Sequence, residues 1–337
     1  MVESAVAKTI GELGEAGLLA LVFERLGDGR PDPSPLLVGP GDDTAYISVP
    51  GPGVLATTDT MVRGQDWRDE WSTAADVGAK VVTQNLADIA AMGGVGTALL
   101  VTLVAPGSMP TAWALECLGA LAQTAYQLGV SIAGGDLSSS QGEVSLSVTA
   151  LGALAPGIVR PVLRSGARAG QVLAVSGPLG RSAAGLELLR AADEGRFPPP
   201  EYLDRCADWV GYHCRPTPDL TAGVAGARAG ASALVDVSDG LVRDAGRIAT
   251  ASGVRIDLDE AGIATSTRDL EPALGRATAW DCVLHGGEEH VLVGSFGAQE
   301  VPTTWTVIGA VSSARPSVGV FLAGEPVRIG GWDHFGG

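Results

Sequence analysis

The chain of 337 residues carries 38 acidic against 22 basic side chains, a net charge of −16. A nucleic-acid footprint should be basic and is disfavoured, although an acidic protein can hold phosphates when divalent cations stand between the two. With 46% hydrophobic and 18% charged residues, the chain can bury a large core, is not of disordered composition, and is long enough for two domains.

The first twenty residues lack a basic start followed by a long apolar core. No uncharged run approaches the roughly 18 apolar residues of a membrane span. Both features predict a cytoplasmic protein without a membrane partner. Cys117, Cys206, Cys214 and Cys282 form no CxxC pair and predict reduced thiols. Cys206, His213 and Cys214 are close together but lack the spacing of a closed zinc site.

Residues 7–26 read as an opening helix, ended by the proline-rich Arg30–Pro35. Short strands are predicted over Leu36–Val38, Thr44–Val49 and Val54–Thr57. Thr73 and Asp76 form a capping box, and the helix they open runs to about Met92. Ala98–Val104 is a strand, Thr111–Leu128 a helix, and Val130–Ala133 a buried strand. Glu143–Leu151 alternates, as a strand with one wet face does. This β-β-α-β-α-β order defines an α+β half. Ala155–Gly170 reads as a joint, dividing the chain into residues 1–154 and 155–337. Beyond it come the strand "QVLAVSG", a glycine turn and helix in "GPLGRSAAGLELLRAA", a break at "PPPEYLD", the segment "ALVDVSDGL" leading into a helix to about Ser252, the strand "VRIDLDE", and a last set of strands from Val291.

The acids are placed unusually. Val77, Val81, Asn85, Asp88 and Met92 fall on one helix face that should point inward. A buried ionised carboxylate costs several kcal/mol unless it is paired or binds a metal. Asp59, Asp136 and Asp236 are read at strand ends, and Asp239 opens a helix beside Ser238. Taken singly, each has a structural explanation: an N-cap for Ser238 or Asp239, a turn pair for Asp42 and Asp43. Several carboxylates converging from strand ends would instead make an oxygen-rich site for Mg²⁺. Lys8 and Lys80 are the only lysines, and neither lies in a P-loop. No Rossmann fingerprint, nucleophile elbow or triad is apparent. Phosphate chemistry with metals as the neutralising charge remains, with "AGGD" and "SGPLGRS" as candidate phosphate cradles.

The segments "GDDTA" (41–45), "ATTDT" (56–60), "NLADIAAMG" (85–93), "GGD" (134–136), "RPVLRSGA" (160–167), "VSDGL" (237–241), "GGEEH" (286–290) and "WDHF" (332–335), in this order, resemble the thiamine-monophosphate kinases, relatives of aminoimidazole ribonucleotide synthetase and selenophosphate synthetase. The resemblance implies two α+β domains, the first dimerising through a barrel of strands from two subunits. It implies direct in-line phosphoryl transfer from ATP to thiamine monophosphate with several Mg²⁺ ions. By its motifs, Asp43, Thr57, Thr58, Asp59, Asp88, Asp136, Asp236 and Asp239 match metal positions, with Asp59, Asp136 and Asp239 central to catalysis. Gly135, Asp136, Arg164 and Ser238 match ATP contacts. Glu288 and Trp332 match acceptor contacts, as does the position of Asp66.

The chain departs from the family on the acceptor side. Asp66 and Trp67 stand where a His-Phe pair is usual, and "GGEEH" replaces "GGED" followed by Tyr. Asp66 should weaken binding of an anionic phosphate unless a metal or Arg63 offsets it. Asp69, in "WRDEW", reads as a solvated acid. Arg164 could instead form a salt bridge at the joint, and Trp332 could plug the second domain. Two other functions stay open: a kinase of the same superfamily with another acceptor, and a non-catalytic nucleotide-binding scaffold.

Overall fold

The computed structural model describes residues 9–27, 36–38, 46–48, 51, 53–315, 317–328 and 330–331. The chain divides into two compact units, residues 1–89 with 95–153, and residues 90–94 with 154–337. Both mix helices with antiparallel and parallel strands, so the protein is α+β.

The first unit begins with α1 (Ile10–Gly27) and the paired strands β1 (Leu36–Val38) and β2 (Tyr46–Ile47). It continues through β3 (Leu55–Val62), α2 (Ala74–Ala91), β4 (Gly94–Ala105), α3 (Thr111–Gln127), β5 (Ser131–Ser139) and β6 (Ser145–Leu154). The sheet order is β3-β6-β4-β5, with β3 antiparallel to β6 and β4 parallel to β5. The predicted capping box starts α2: Asp76 accepts from the Thr73 N–H at 3.0 Å, and the Asp76 N–H donates to Thr73 Oγ1 at 3.2 Å. Gly78 lets α2 and α3 touch, because a Cβ there would lie 2.0 Å from the Cys117 carbonyl oxygen. Burial pushes the Cys117 thiol up to about 12, so it is inert at neutral pH.

β3 and β5 run longer than the sequence suggests. Asp59 and Asp136 therefore lie within strands, not at their ends. The β-branched run of "ATTDT" keeps β3 extended with its polar side chains on both faces. In β5 the glycine pair continues the strand: a Cβ on Gly135 would meet the Val101 carbonyl oxygen at 1.7 Å, so glycine is what lets β5 approach β4.

The second unit comprises β7 (Val172–Val175), α4 (Arg181–Asp193), α5 (Leu203–Cys214), α6 (Thr221–Arg228), β8 (Ala233–Asp236), α7 (Leu241–Ser252), β9 (Val254–Leu258), α8 (Glu260–Leu274), α9 (Arg276–His285), β10 (Leu292–Phe296), β11 (Thr306–Ser313), β12 (Gly319–Leu322) and β13 (Glu325–Pro326). Its sheet runs β13-β12-β9-β11-β7-β10-β8. The central strands are continuous apolar runs because both faces are covered. Leu173, Val175, Val235 and Val293 join the larger core with α4, α5, α7, α8 and α9. The alternate residues Ala174, Leu234 and Leu292 join a smaller core with Phe296, Trp305 and Ala222 of α6. That alternation is the period of two of a strand.

Among the described residues no helix is long and apolar enough to cross a membrane. Gly78→Ala should lower the unfolding free energy by about 1–3 kcal/mol, the cost of forcing volume into a close-packed contact. A denaturant titration measures it, and an unchanged midpoint would mean that α2 and α3 do not approach so closely.

Candidate active site

Two loops of the second unit lie backbone to backbone and bring separate motifs together. The Glu288 N–H donates to the Ser238 carbonyl at 2.8 Å, and the His290 N–H to that of Val237 at 2.9 Å. Glycines permit the approach: a Cβ on Gly240 would meet the His285 carbonyl oxygen at 2.6 Å, and one on Gly287 that of Ser238 at 2.5 Å. Glu288 and His290 have φ of 58° and 56°. Left-handed backbone at two non-glycine residues costs of order 1–3 kcal/mol each and persists only where the surroundings impose it.

The imposing contact is Glu289, which is fully buried. Its Oε1 accepts from the Ser182 N–H at 2.6 Å, at the first turn of α4, where backbone N–H groups and the helix dipole favour an anion. Its Oε2 lies 3.7 Å from Arg181 Nε, and the Arg181 guanidinium stacks 3.7 Å above the Tyr212 ring. The Tyr212 hydroxyl donates to the Glu289 carbonyl at 2.7 Å. Burial outweighs these partners and raises the Glu289 carboxyl to about 7. The start of α4, read as a phosphate cradle in "SGPLGRS", is thus filled by the protein's own carboxylate.

Asp236 ends β8 and is buried; its Oδ2 is 3.4 Å from His290 Nδ1, and its Oδ1 is 3.5 Å from Ser238 Oγ. Asp239 is ion-paired with Arg247, which also pairs with Asp244. Neither Ser238 nor Asp239 is the N-cap of α7; that position is Gly240, at φ 116°. The cap comes from inside the helix, where buried Asp244 accepts from the N–H groups of Asp239 (3.0 Å) and Gly240 (3.1 Å). Burial, then the Asp236 charge, raises the Asp244 carboxyl to about 7. The sequence reading names neither Asp244 nor Arg247, places Arg181 only inside the "SGPLGRS" cradle, and considers His213 only beside Cys206 and Cys214.

In the first unit, Thr57 Oγ1 donates to Asp88 Oδ2 at 2.7 Å, joining β3 to α2. Asp59 shares the Thr57 face of β3. Thr58 faces the other way, donating to the Val148 carbonyl at 3.1 Å and accepting from Thr149 Oγ1 at 3.1 Å, since successive strand side chains alternate. Thr57 and Thr58 therefore cannot present their hydroxyls to one ion together. Asn85 is fully buried, donating to the Val81 carbonyl at 2.8 Å; its Oδ1 has no hydrogen bond to a described residue. Asp136 is exposed on β5 and accepts from Ser138 Oγ at 2.7 Å.

β3 and β5 are the outer strands of the sheet, about 14 Å apart at three strand spacings. The expected convergence of acids is not found inside either unit: among the described residues no three His, Cys, Asp or Glu side chains gather for one metal ion. The donors are nevertheless oxygens, the chemistry Mg²⁺ prefers, and buried Asn85 Oδ1 and the Asp88 carboxylate fit such a hard cation. Arg164 is exposed at the start of a short 3-10 turn (Arg164–Gly166). Asp43 and Trp332 lie outside the described residues.

The Asp66 loop is organised from within. The Asp66 carboxylate accepts from the Val62 N–H at 2.7 Å. Trp67 is buried and stacks on Trp113 with centroids 6.1 Å apart. Arg63 is ion-paired with Asp69, which also accepts from Trp67 Nε1 at 3.2 Å. Asp69 is thus a structural link and not merely a solvated acid. Lys80, buried on α2, lies 3.5 Å from the Asp66 carbonyl.

Residues 41–154 match the family model for the AIR synthase related protein, N-terminal domain. The wider architecture is shared with hydrogenase maturation protein HypE, at a TM-score of 0.66 and 15% identity over 88% of this chain and 93% of that one. Over residues 41–154 the chain thus resembles the AIR synthase class, and it shares its fold with that maturation protein. The chain is 42% identical over 332 residues to the thiamine-monophosphate kinase of Mycobacterium tuberculosis H37Rv, covering 97% of this chain and 93% of the relative. It is 32% identical to that of Escherichia coli K12, over 96% and 98%. A crystal structure of thiamine-monophosphate kinase from Stenotrophomonas maltophilia K279a superposes at a TM-score of 0.76, with 30% identity over 92% and 96%. A structure described as AaThiL complexed with AMPPCP and TMP superposes at 0.70, with 28% identity over 96% and 98%. The chain belongs to the thiamine-monophosphate kinase family, and is an enzyme by that membership.

The raised Glu289 carboxyl gives a sign for stability against pH. Between its usual 4.5 and about 7 the folded state holds a proton that the unfolded chain has released. This group therefore contributes most below about pH 4.5, and its contribution is lost as pH rises through 7. Glu289→Gln should remove that slope. Denaturant titrations at about pH 5 and pH 8 should show the variant gaining on wild type by up to roughly 3 kcal/mol. An identical difference at the two pH values would contradict the raised value.

Proposed function

We propose that the protein transfers the γ-phosphoryl group of ATP to the phosphate of thiamine monophosphate. An acceptor phosphate oxygen forms the new O–P bond, the bridge between the β- and γ-phosphates of ATP breaks, and thiamine diphosphate and ADP leave. The observation that carries this reading is identity along nearly the whole chain to a thiamine-monophosphate kinase. A related structure described as complexed with AMPPCP and TMP supports it.

In this reading Asp59, Asp88, Asp136 and Asp236 hold Mg²⁺, assisted by Asp43 and Asp239, and Thr57 orients Asp88 by its hydrogen bond. Bound Mg²⁺ supplies the charge that lets two phosphates approach. Gly135, Arg164 and Ser238 serve ATP, and Glu288 and Trp332 the acceptor. Residues 1–154 carry the metal and ATP positions of "GDDTA", "ATTDT" and "GGD". Residues 155–337 add nucleotide and acceptor contacts. Leu100 lies on an interior strand yet is exposed, so one sheet face has room for a second copy, which supports a homodimer. The cytoplasm is the setting that reduced thiols and the bacterial biosynthetic relatives suggest.

A kinase with another acceptor is the second reading. The Asp66 loop favours it: Asp66 replaces the usual His, and its carboxylate already closes a turn on Val62.

ADP release in Mg-ATP with a panel of phosphate-bearing acceptors tests both. Thiamine monophosphate should give stoichiometric ADP, and excess EDTA should abolish it. ADP with a different acceptor alone would select the second reading, and none with any acceptor would leave a scaffold. Asp59→Asn and Asp136→Asn should each reduce kcat by about 10²-fold or more while the protein stays folded. Wild-type turnover in Asp136→Asn would remove that residue from the metal set.

A further inference from the structure

We infer that His213 is a positioning residue for the acceptor: it sets the direction of the Glu288 carboxylate, and through it the affinity for a phosphate ester with a cationic or hydrogen-bonding head group. This rests on the reading that Glu288 touches the acceptor.

His213 lies in the last turn of α5, with its side chain 10% exposed, and its Nδ1 is 3.3 Å from Glu288 Oε2. The same nitrogen is 3.1 Å from Ser182 Oγ. A carboxylate only accepts, so the Glu288 contact selects the form that carries a proton on Nδ1. The serine hydroxyl can rotate to accept a share of that hydrogen. Both partners meet one ring nitrogen and Ser182 is buried, so this is no serine–histidine–acid relay, which would use the two nitrogens in turn.

The position of His213 is built into the helix packing. Gly185 of α4 allows α5 to approach, since a Cβ there would lie 2.3 Å from the Trp209 carbonyl oxygen and 2.9 Å from His213 Cβ. The same first turn of α4 anchors Glu289. The residue after Glu288 and the side chain facing Glu288 are therefore referenced to one helix start. Glu288 itself, in left-handed backbone and with a side chain 33% exposed, meets His213 through its Oε2.

The test is a double-mutant cycle in the full chain, with acceptor varied at saturating Mg-ATP, using thiamine monophosphate or whichever acceptor releases ADP. His213→Leu fills the space without a donor. Asn in place of His213 returns an amide N–H close to the Nδ1 position and keeps the protein testable should the leucine variant not fold. His213→Leu should raise the acceptor KM about tenfold, leave the ATP KM within about twofold, and add nothing in the Glu288→Ala background. His213→Asn should recover most of the loss. Additive effects of the His213 and Glu288 changes, or equal rises in both KM values, would overturn the inference while leaving the kinase reading in place. A wild type inactive with every acceptor would overturn both.

Discussion

A buried carboxylate at the start of a helix is the contact on which the second unit's site depends. Glu289 is wholly enclosed, and in an apolar interior its charge would cost several kcal/mol. The Ser182 N–H, the α4 dipole and Arg181 offset part of that cost. Because both partners are fixed by the fold, Glu289 fixes the backbone on either side of it. The left-handed conformations of Glu288 and His290 follow. One loop then sends neighbouring side chains to different tasks, Glu288 toward His213 and His290 toward Asp236.

The same economy of charge runs through the molecule. With two lysines and a net charge of −16, few cations are at hand for the carboxylates. Arginine neutralises those nearest the helix starts: Arg181 for Glu289, and Arg247 for Asp239 and Asp244 together. Its planar fork suits one side chain bridging two acids. Asp136 and Asp59 lie on outer strands of the other sheet. A second anion such as ATP would require added positive charge there. This is why the account of the reaction turns on divalent cations and not on a lysine-bearing loop.

Much of the first unit was legible because its signals are local. Thr73 and Asp76 announce α2, and of its inward stripe Val77, Val81, Asn85, Asp88 and Met92 the first three are buried and the last two half-buried. The predicted strands are too short where polar residues continue an extended chain: "TTDT" and "GGD" resemble strand exits, yet β3 and β5 run through them. Backbone pairing overrides side-chain polarity at such positions, and the sequence does not display it. In the second unit α5, α6, α8 and α9 are not among the predicted elements. Cys206, Trp209 and His213 recur at helical spacing, so α5 was readable behind the break at "PPPEYLD". Asp259 caps α8 through the Gly262 N–H at 3.1 Å, a signal that was also present. The pairing of His213 with Glu288 joins residues far apart in sequence and exists only once α5 is set against α4. The motif residues Ser238 and Asp239 were recognised, but their capping role belonged to Asp244, five residues on from Asp239, because a side chain can reach back to the start of its own helix.

In the proposed reaction the acceptor of the phosphoryl group is itself a phosphate. Phosphorus-31 NMR of the protein with Mg-ATP and thiamine monophosphate tests it most directly, because it reports the bond formed and not only the ADP released. Transfer to the monophosphate makes its ester resonance decline as the coupled pair of thiamine diphosphate resonances grows, one thiamine diphosphate for each ADP. Growth of inorganic phosphate alongside ADP, with the monophosphate ester unchanged, would contradict it.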